Sequence, residues 1–170
     1  SLASNDPVAA SSGDKLVVYT LPTLAEGVSI SVSYASAWEN NSGSTALGLT
    51  YTGVEGLTVS LGKGDDNSTV AVSADQTVMK ASYAYGPVTL GYSNNDYDHT
   101  TAASDQEVSS FNLSYTVSDA ISISYGEEKF EKSGVTSDIE VEGVTASYTS
   151  GGMTITAASY EATNVDHSST

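Results

Sequence analysis

Val28-Ser-Ile-Ser-Val-Ser-Tyr34 alternates apolar and small polar residues without a break and closes on a tyrosine. Close variants recur along the chain: Leu57-Thr-Val-Ser-Leu61, Val88-Thr-Leu-Gly-Tyr92, Phe111-Asn-Leu-Ser-Tyr115, Ile121-Ser-Ile-Ser-Tyr125 and Val144-Thr-Ala-Ser-Tyr148. Successive side chains of a strand point to opposite faces of its sheet. These segments therefore build one face of Val, Ile, Leu and Tyr and another of Ser, Thr, Gly and Ala. The second face is too polar for a core and nearly free of charge. Such a sheet suits an apolar medium on one side and water on the other.

Extending the period-2 pattern gives ten strand-like segments, near Lys15–Thr20, Val28–Ser36, Thr45–Thr52, Leu57–Lys63, Thr77–Tyr85, Val88–Asn94, Glu107–Val117, Ala120–Glu128, Val141–Thr149 and Met153–Tyr160. No helical periodicity competes with them. Five connections are short and carry Gly, Pro or Asp, as tight hairpins require: Leu21–Gly27, Gly53–Gly56, Gly86–Pro87, Ser118–Asp119 and Ser150–Gly152. The others are longer and acidic: Ala37–Ser44, Gly64–Gln76, Asn95–Gln106, Lys129–Glu140 and the tail from Glu161. Short turns alternating with long ones describe an up-and-down meander with two unlike ends.

Composition narrows the function. The 170 residues suffice for one domain, yet only 39% are hydrophobic and Phe and Met number two each, a thin supply for a soluble core. Net charge is −16, with five lysines and no arginine, which argues against nucleic acid as a partner and against an anionic membrane surface. Without cysteine there is neither a disulfide framework nor a thiolate zinc site. No apolar run approaches the roughly 18 residues of a spanning helix. The opening Ser-Leu-Ala-Ser-Asn-Asp-Pro is not a signal peptide.

Charge and aromatics are sorted along the strands. Asp6 and Asp14 precede the first segment, and Glu26, Glu55 and Asp119 lie in short turns. The remaining sixteen of the 21 carboxylates lie in the long connections, at strand ends beside them, or in the tail. Lys80 is the main charge within a strand body. Tyr19, Tyr51, Tyr83, Tyr85, Tyr115 and Tyr148 cluster at the short-turn rim, and Tyr34, Tyr92 and Tyr125, with Trp38, lie toward the other. A soluble antiparallel sandwich would also place tyrosine on a packed face, but has no reason to sort it by height. Two aromatic girdles bracketing an apolar band fit a membrane barrel. The expected fold is all-β: a transmembrane antiparallel up-and-down β-barrel, present as about ten meander strands.

Tyr51-Thr-Gly-Val-Glu-Gly-Leu-Thr-Val-Ser-Leu61, Val78-Met-Lys-Ala-Ser-Tyr-Ala-Tyr-Gly-Pro-Val-Thr-Leu-Gly-Tyr92, Ser114-Tyr-Thr-Val-Ser-Asp119, Ile123-Ser-Tyr-Gly126 and Ala146-Ser-Tyr-Thr-Ser-Gly-Gly-Met-Thr154 resemble general porins of alphaproteobacteria. Tyr19-Thr-Leu-Pro-Thr-Leu-Ala-Glu-Gly27 is similar to the strand and turn after the constriction loop in the wider Gram-negative porin family. The resemblance spans about Lys15 to Tyr160. It implies homotrimers of roughly sixteen-stranded barrels around a water-filled pore, of which these would be about the sixth to fifteenth strands. Residues 1–14 would be the end of a loop, the constriction loop of the family, and 15–170 a partial porin barrel domain. The chain ends on Asp166-His-Ser-Ser-Thr170 rather than on the strand with a C-terminal aromatic that the family uses, so the resemblance leads us to expect a fragment of a longer porin. The sequence departs from the basic ladder that family porins often carry, since there is no arginine and Lys80 is the only lysine whose phase puts it on the inner face mid-strand.

By phase, the pore lining is expected to be Ser29, Ser31, Ser33, Thr58, Ser60, Lys80, Ser82, Thr89, Asn112, Ser114, Ser122, Ser124, Thr145, Ser147, Thr154 and Thr156. A solvated sheet face would look the same; as a lining it passes small hydrophilic solutes with little discrimination. The acidic connections could draw cations to the pore mouth, bind divalent ions that bridge to lipopolysaccharide, or simply be solvated. Asp96, Asp98 and Glu107 partly match a calcium loop, but the sixth position is Thr101 where glycine is needed. His99 and His167 read as solvated loop residues, and no nucleophile motif such as Gly-x-Ser-x-Gly occurs. The expectation is a cofactor-free, non-enzymatic diffusion channel in the outer membrane of a Gram-negative bacterium, contacting membrane lipid and lipopolysaccharide. A non-transport surface β-protein, such as an adhesin or autotransporter segment, is the alternative.

Overall fold

The computed structural model describes residues 16–22, 25–36, 43–69, 72–101 and 105–165. These form ten strands: β1 Leu16–Thr20, β2 Val28–Ala35, β3 Ser44–Tyr51, β4 Leu57–Thr69, β5 Val72–Tyr85, β6 Val88–His99, β7 Gln106–Ser118, β8 Ile121–Lys132, β9 Ile139–Ser150 and β10 Met153–Thr163. They make one sheet in chain order, each strand antiparallel to the next, with β1 and β10 as its edges. There is no helix among the described residues. Trp38, His167 and the expected loop at residues 1–14 lie outside them.

Two short turns share a sequence and a geometry. In Ala25-Glu-Gly-Val28 and Val54-Glu-Gly-Leu57 the last amide donates to the first carbonyl, both at 3.0 Å. The glycines adopt φ of 74° and 76°, which a side chain would strain. Each short turn is also tied to the next hairpin. Gly27, Gly56, Pro87 and Ala120 carbonyls accept from the amides of Thr52, Ala84, Thr116 and Thr149 at 2.7–2.8 Å. The short-turn rim is thus stitched once per hairpin.

Following register partners across the sheet from Val28 gives Tyr51, Val59, Ala81, Tyr92, Phe111, Glu127, Glu142 and Glu161. The row leaves the short-turn rim at the first residue of β2. It reaches β10 at Glu161, eight residues beyond Met153. At about 3.4 Å per residue and 4.8 Å per strand, that stagger inclines the strands by about 35° if the short turns lie level. Closed barrels have strands tilted by about that much.

The apolar face is the exposed one. Val17, Tyr19, Leu47, Leu61, Leu90, Leu113, Ile123, Val144 and Ile155 are all exposed, whereas the buried apolar residues are Ala46, Ala74 and Val78 on the other face. A water-soluble sandwich would bury the first set. The chain instead forms a single layer whose apolar surface needs an apolar surrounding.

The strands run further than the hydropathy pattern indicates. β4 continues from the expected end at Lys63 to Thr69, β5 begins at Val72 instead of Thr77, and β6 extends from Asn94 to His99. β8 and β9 lengthen likewise, to Lys132 and back to Ile139. Ladder hydrogen bonds join backbone groups and are indifferent to side-chain polarity. Alternation therefore marks the apolar band, while pairing continues into the acidic stretches. Much of the sequence assigned to long connections is strand.

Candidate functional site

All sixteen positions expected to line a pore fall on one face. Register partners join Ser29 to Thr50, Thr50 to Ser60, Ser60 to Lys80, and Thr58 to Ser82. They continue through Thr89–Ser114, Ser114–Ser124, Ser124–Thr145 and Ser147–Thr156. Ser31 and Ser33 belong to the same phase of β2, Asn112 to that of β7, Ser122 to that of β8 and Thr154 to that of β10. The hydroxyls bond laterally across strands: Thr50 with Ser60 at 3.2 Å, Ser93 with Ser110 at 2.7 Å, Ser147 with Thr156 at 3.2 Å and Thr149 with Thr154 at 2.9 Å. Paired in this way, they need no charged partner.

This hydroxyl face is not uniform. Ser33, Ser44, Ala46, Gly62, Gly64, Ala74, Val78, Gly91 and Ser93, on β2–β6, are buried, and Val78 is only 1% exposed. Asn112, Ser122, Thr154 and Thr156, on β7–β10, are exposed, as are Ser29, Ser82 and Thr89 beside the short turns. The remaining predicted positions are half-buried. Small residues let neighbours lean inward. A methyl on Gly91 would meet the Asn112 amide at 2.6 Å, and one on Gly48 the Ser31 hydroxyl at 2.8 Å. The Tyr160 ring lies over Gly143, its register partner, with its hydroxyl 3.3 Å from Thr145 Oγ1.

The nine girdle tyrosines fall on the opposite face, in phase with the aliphatic band. Tyr51 and Tyr85 adjoin short turns, and the Tyr83 and Tyr85 rings stack 6.4 Å apart. Tyr19 pairs with Val32, Tyr34 with Thr45, Tyr115 with Ile123 and Tyr148 with Ile155. Tyr92 pairs with Phe111 and Tyr125 with Val144. Tyr97 and Tyr160 take the hydroxyl-face phase instead.

The acidic residues occupy an unexpected side. Asp65, Asp75, Asp96, Asp98, Glu107, Glu127, Glu131, Glu140, Glu142 and Glu161 continue the phase of the apolar face, as a collar beyond its band. Tyr125, at the band's edge, donates its hydroxyl to Glu127 and Glu142 at 3.1 and 3.0 Å. Lys129 pairs with Glu131 and, at 3.0 Å, with Asp138, and these contacts hold its ammonium above the usual lysine range. A hollow of about 350 Å³ opens here between Tyr92 and Phe111 on one side and Glu127, Glu140, Glu142 and Glu161 on the other. On the hydroxyl side the extensions carry Phe130 and Ile139, with Val108 and Val141 just inside the expected segments. The idea of acids ringing a pore mouth is therefore corrected for the strand residues, which aim outward. Sequence reading missed this for most of them because it treated their stretches as loops, without alternation, whereas Glu107, Glu127 and Glu142 lie at the ends of expected strands.

The calcium-loop pattern is likewise taken up by strands. Asp96 and Glu107 are register partners on β6 and β7, and Asp98 lies further along β6. Asp96 is held above the usual carboxylate range, first by burial and then by Glu107, Asp98 and Asp105. Among the described residues, no three His, Cys, Asp or Glu groups are placed to hold a metal ion. His99 ends β6 rather than lying in a loop, and its Nδ1 accepts the Thr101 amide at 3.0 Å.

A single tilted antiparallel layer with a hydroxyl face, an exposed apolar face and an outward acidic collar defines the porin class of β-barrel wall. The sequence profile of the Gram-negative porin family matches residues 2–168, and the chain belongs to that family. Among solved structures, a porin refined at 1.8 Å resolution superposes with a TM-score of 0.69 at 18% identity, over 91% of this chain. The superposition covers 61% of that porin, so the chain spans less than two thirds of its length. No curated protein gives a significant match.

Proposed function

We propose that the chain is part of the wall of a passive diffusion channel in the outer membrane of a Gram-negative bacterium. Small hydrophilic solutes and ions would move along the hydroxyl face down their gradients. The observation that carries this reading is the inversion of the faces: the aliphatic and tyrosine face is exposed, and the opposite face is built of laterally bonded hydroxyls. Lipid covers the first and water wets the second. An edge strand cannot stand in hydrocarbon with its amides and carbonyls unpaired. The membrane form therefore needs further strands to join β1 and β10, in line with the share of the solved porin that is covered. The homotrimer and the alphaproteobacterial subtype belong to the same reading.

The outward collar supports one partner in particular. Carboxylates just beyond a lipid-facing band stand level with the phosphates of lipopolysaccharide, and divalent ions can bridge the two. On strand residues this orientation suits the lipid side better than the pore mouth. The surface-adhesin alternative would require the apolar face to be covered by protein.

The full-length protein reconstituted in planar bilayers is expected to give discrete conductance steps, and to change its gel migration on boiling, an unheated trimer running slower than the boiled chain. A protein soluble without detergent and silent in bilayers would be the adhesin-type alternative.

A further inference from the structure

Two charges that face the hydroxyl side, Lys80 and Glu128, fall in one row, and Lys132 lies further along β8 in the same phase. Register partners run from Ser60 to Lys80, Ser93, Ser110 and Glu128. Lys80 is the cation of that face within the band. Glu128 is its carboxylate among the strand residues whose side chains are described. The two serines between them are hydrogen bonded at 2.7 Å. Three strand spacings separate Lys80 from Glu128, about 14 Å along the sheet. That is too far for an ion pair, and exceeds the screening length of about 8 Å at physiological salt. Each charge therefore acts separately on whatever passes over the wall.

Glu128 carries a second peculiarity. Its Oε2 is sealed from solvent and has no hydrogen-bond partner among the described residues. Ser110 faces it from β7, Val141 from β9, and Gly126 and Phe130 flank it along β8. Of these only Ser110 has a side-chain hydroxyl, and that hydroxyl is shared with Ser93. Among the described residues, Glu128 has no cation as a register partner on either neighbouring strand. A cation drawn to the half-buried carboxylate has to approach it away from Oε2, with serine hydroxyls at hand as neutral ligands. Anions gain nothing there.

We propose that Glu128 is a specificity-determining residue of the channel: a transient stopping place for small alkali cations on the pore wall, with Lys80 opposing it from the same row. The proposal rests on the channel reading above.

The test is the reversal potential of the full-length protein in planar bilayers under a potassium chloride gradient. Glu128→Gln is expected to lower the potassium-to-chloride permeability ratio roughly two- to fivefold in about 0.1 M salt, and less in about 1 M salt, where screening shortens. Lys80→Gln should raise the ratio. Lys63→Gln, outward on β4 and outside the collar, should leave it unchanged. Heat-modifiable migration reads folding, and Glu128→Ser carries the same test should Glu128→Gln not fold. An unchanged ratio in a conducting, folded Glu128 variant, or an equally large change in Lys63→Gln, overturns the assignment and leaves the channel standing. Absence of conductance from the unaltered protein overturns both.

Discussion

Over β2–β6 the hydroxyl face holds most of its buried positions, and over β7–β10 it is more open, with Gly126 the buried exception. Both halves are built from Ser, Thr, Gly and Ala, yet Ser33, Ser44 and Ser93 are buried while Ser122, Thr154 and Thr156 stand in solvent. The closed half also holds the buried aliphatic Val78, between Gly62 on β4 and Asn95 on β6. Residue type therefore does not decide which part of this face meets water. The closed half is mainly structural, and the water-facing chemistry belongs to β7–β10, to Lys80 and to the positions beside the short turns.

A charge in each half gives the strongest test of that division. Val78→Asp places a carboxylate where nothing can hydrate it, and should cost about 3–5 kcal/mol, enough to lose the folded, heat-modifiable form. Ser122→Asp in the open half should stay within about 0.5 kcal/mol in detergent unfolding. Equal damage in both would erase the distinction.

Neighbouring residues of the open half then separate its two faces. Leu113→Arg, between Leu90 and Tyr125 on the apolar side, should destabilise the membrane-inserted form by about 2–4 kcal/mol. Ser114→Arg, one residue on, should leave folding intact and shift ion selectivity instead. A smaller contrast lies in the hydroxyl pairs. Ser93→Ala leaves Ser110 without its 2.7 Å partner in a buried setting, and should cost about 1–2 kcal/mol. Ser147→Ala, with an exposed Thr156 partner at 3.2 Å, should cost less than about 0.5 kcal/mol by the same measurement.

The smallest effect is expected at the acidic end of β6. Asp96 is raised in the folded chain, so that state holds the proton more tightly than the unfolded one. Its contribution to stability falls as pH rises through the carboxylate range. Asp96→Asn should therefore raise the melting temperature slightly at about pH 7 and lose that gain near pH 3, where both side chains are neutral. A gain that grew in acid would reverse the sign. Because Asp96 is largely exposed, solvent screening keeps the effect small.

Much of the fold is legible in the alternation. Val28–Tyr34 and its variants place the strands, Gly27, Gly56 and Gly151-Gly152 place the turns, and phase alone assigns all sixteen hydroxyl-face positions. Strand ends are not legible, since β4 to β6 continue through Asp65, Asp75 and Asp96 on backbone bonds that hydropathy cannot report. The closed and open halves are not legible either. Burial of Ser93 but not Ser122 depends on what lies over each, which a one-dimensional pattern does not carry. Glu128 was within reach. Counting on by twos from Ser122 and Ser124 puts it on the hydroxyl face, whereas Glu127 follows Tyr125 to the other.

The carbonyl stitch at the short-turn rim has a consequence for assembly. Every pairing in the sheet joins chain neighbours, and each finished hairpin already presents the acceptor that the next one needs. The wall can grow like a zip, two teeth at a time. No step among these ten strands requires distant parts of the chain to find each other, so loop-closure entropy stays small throughout. Stability then accumulates as a sum of neighbour terms, much as in a solenoid. A defect in one hairpin should accordingly stall the propagation at that point and leave the hairpins behind it intact.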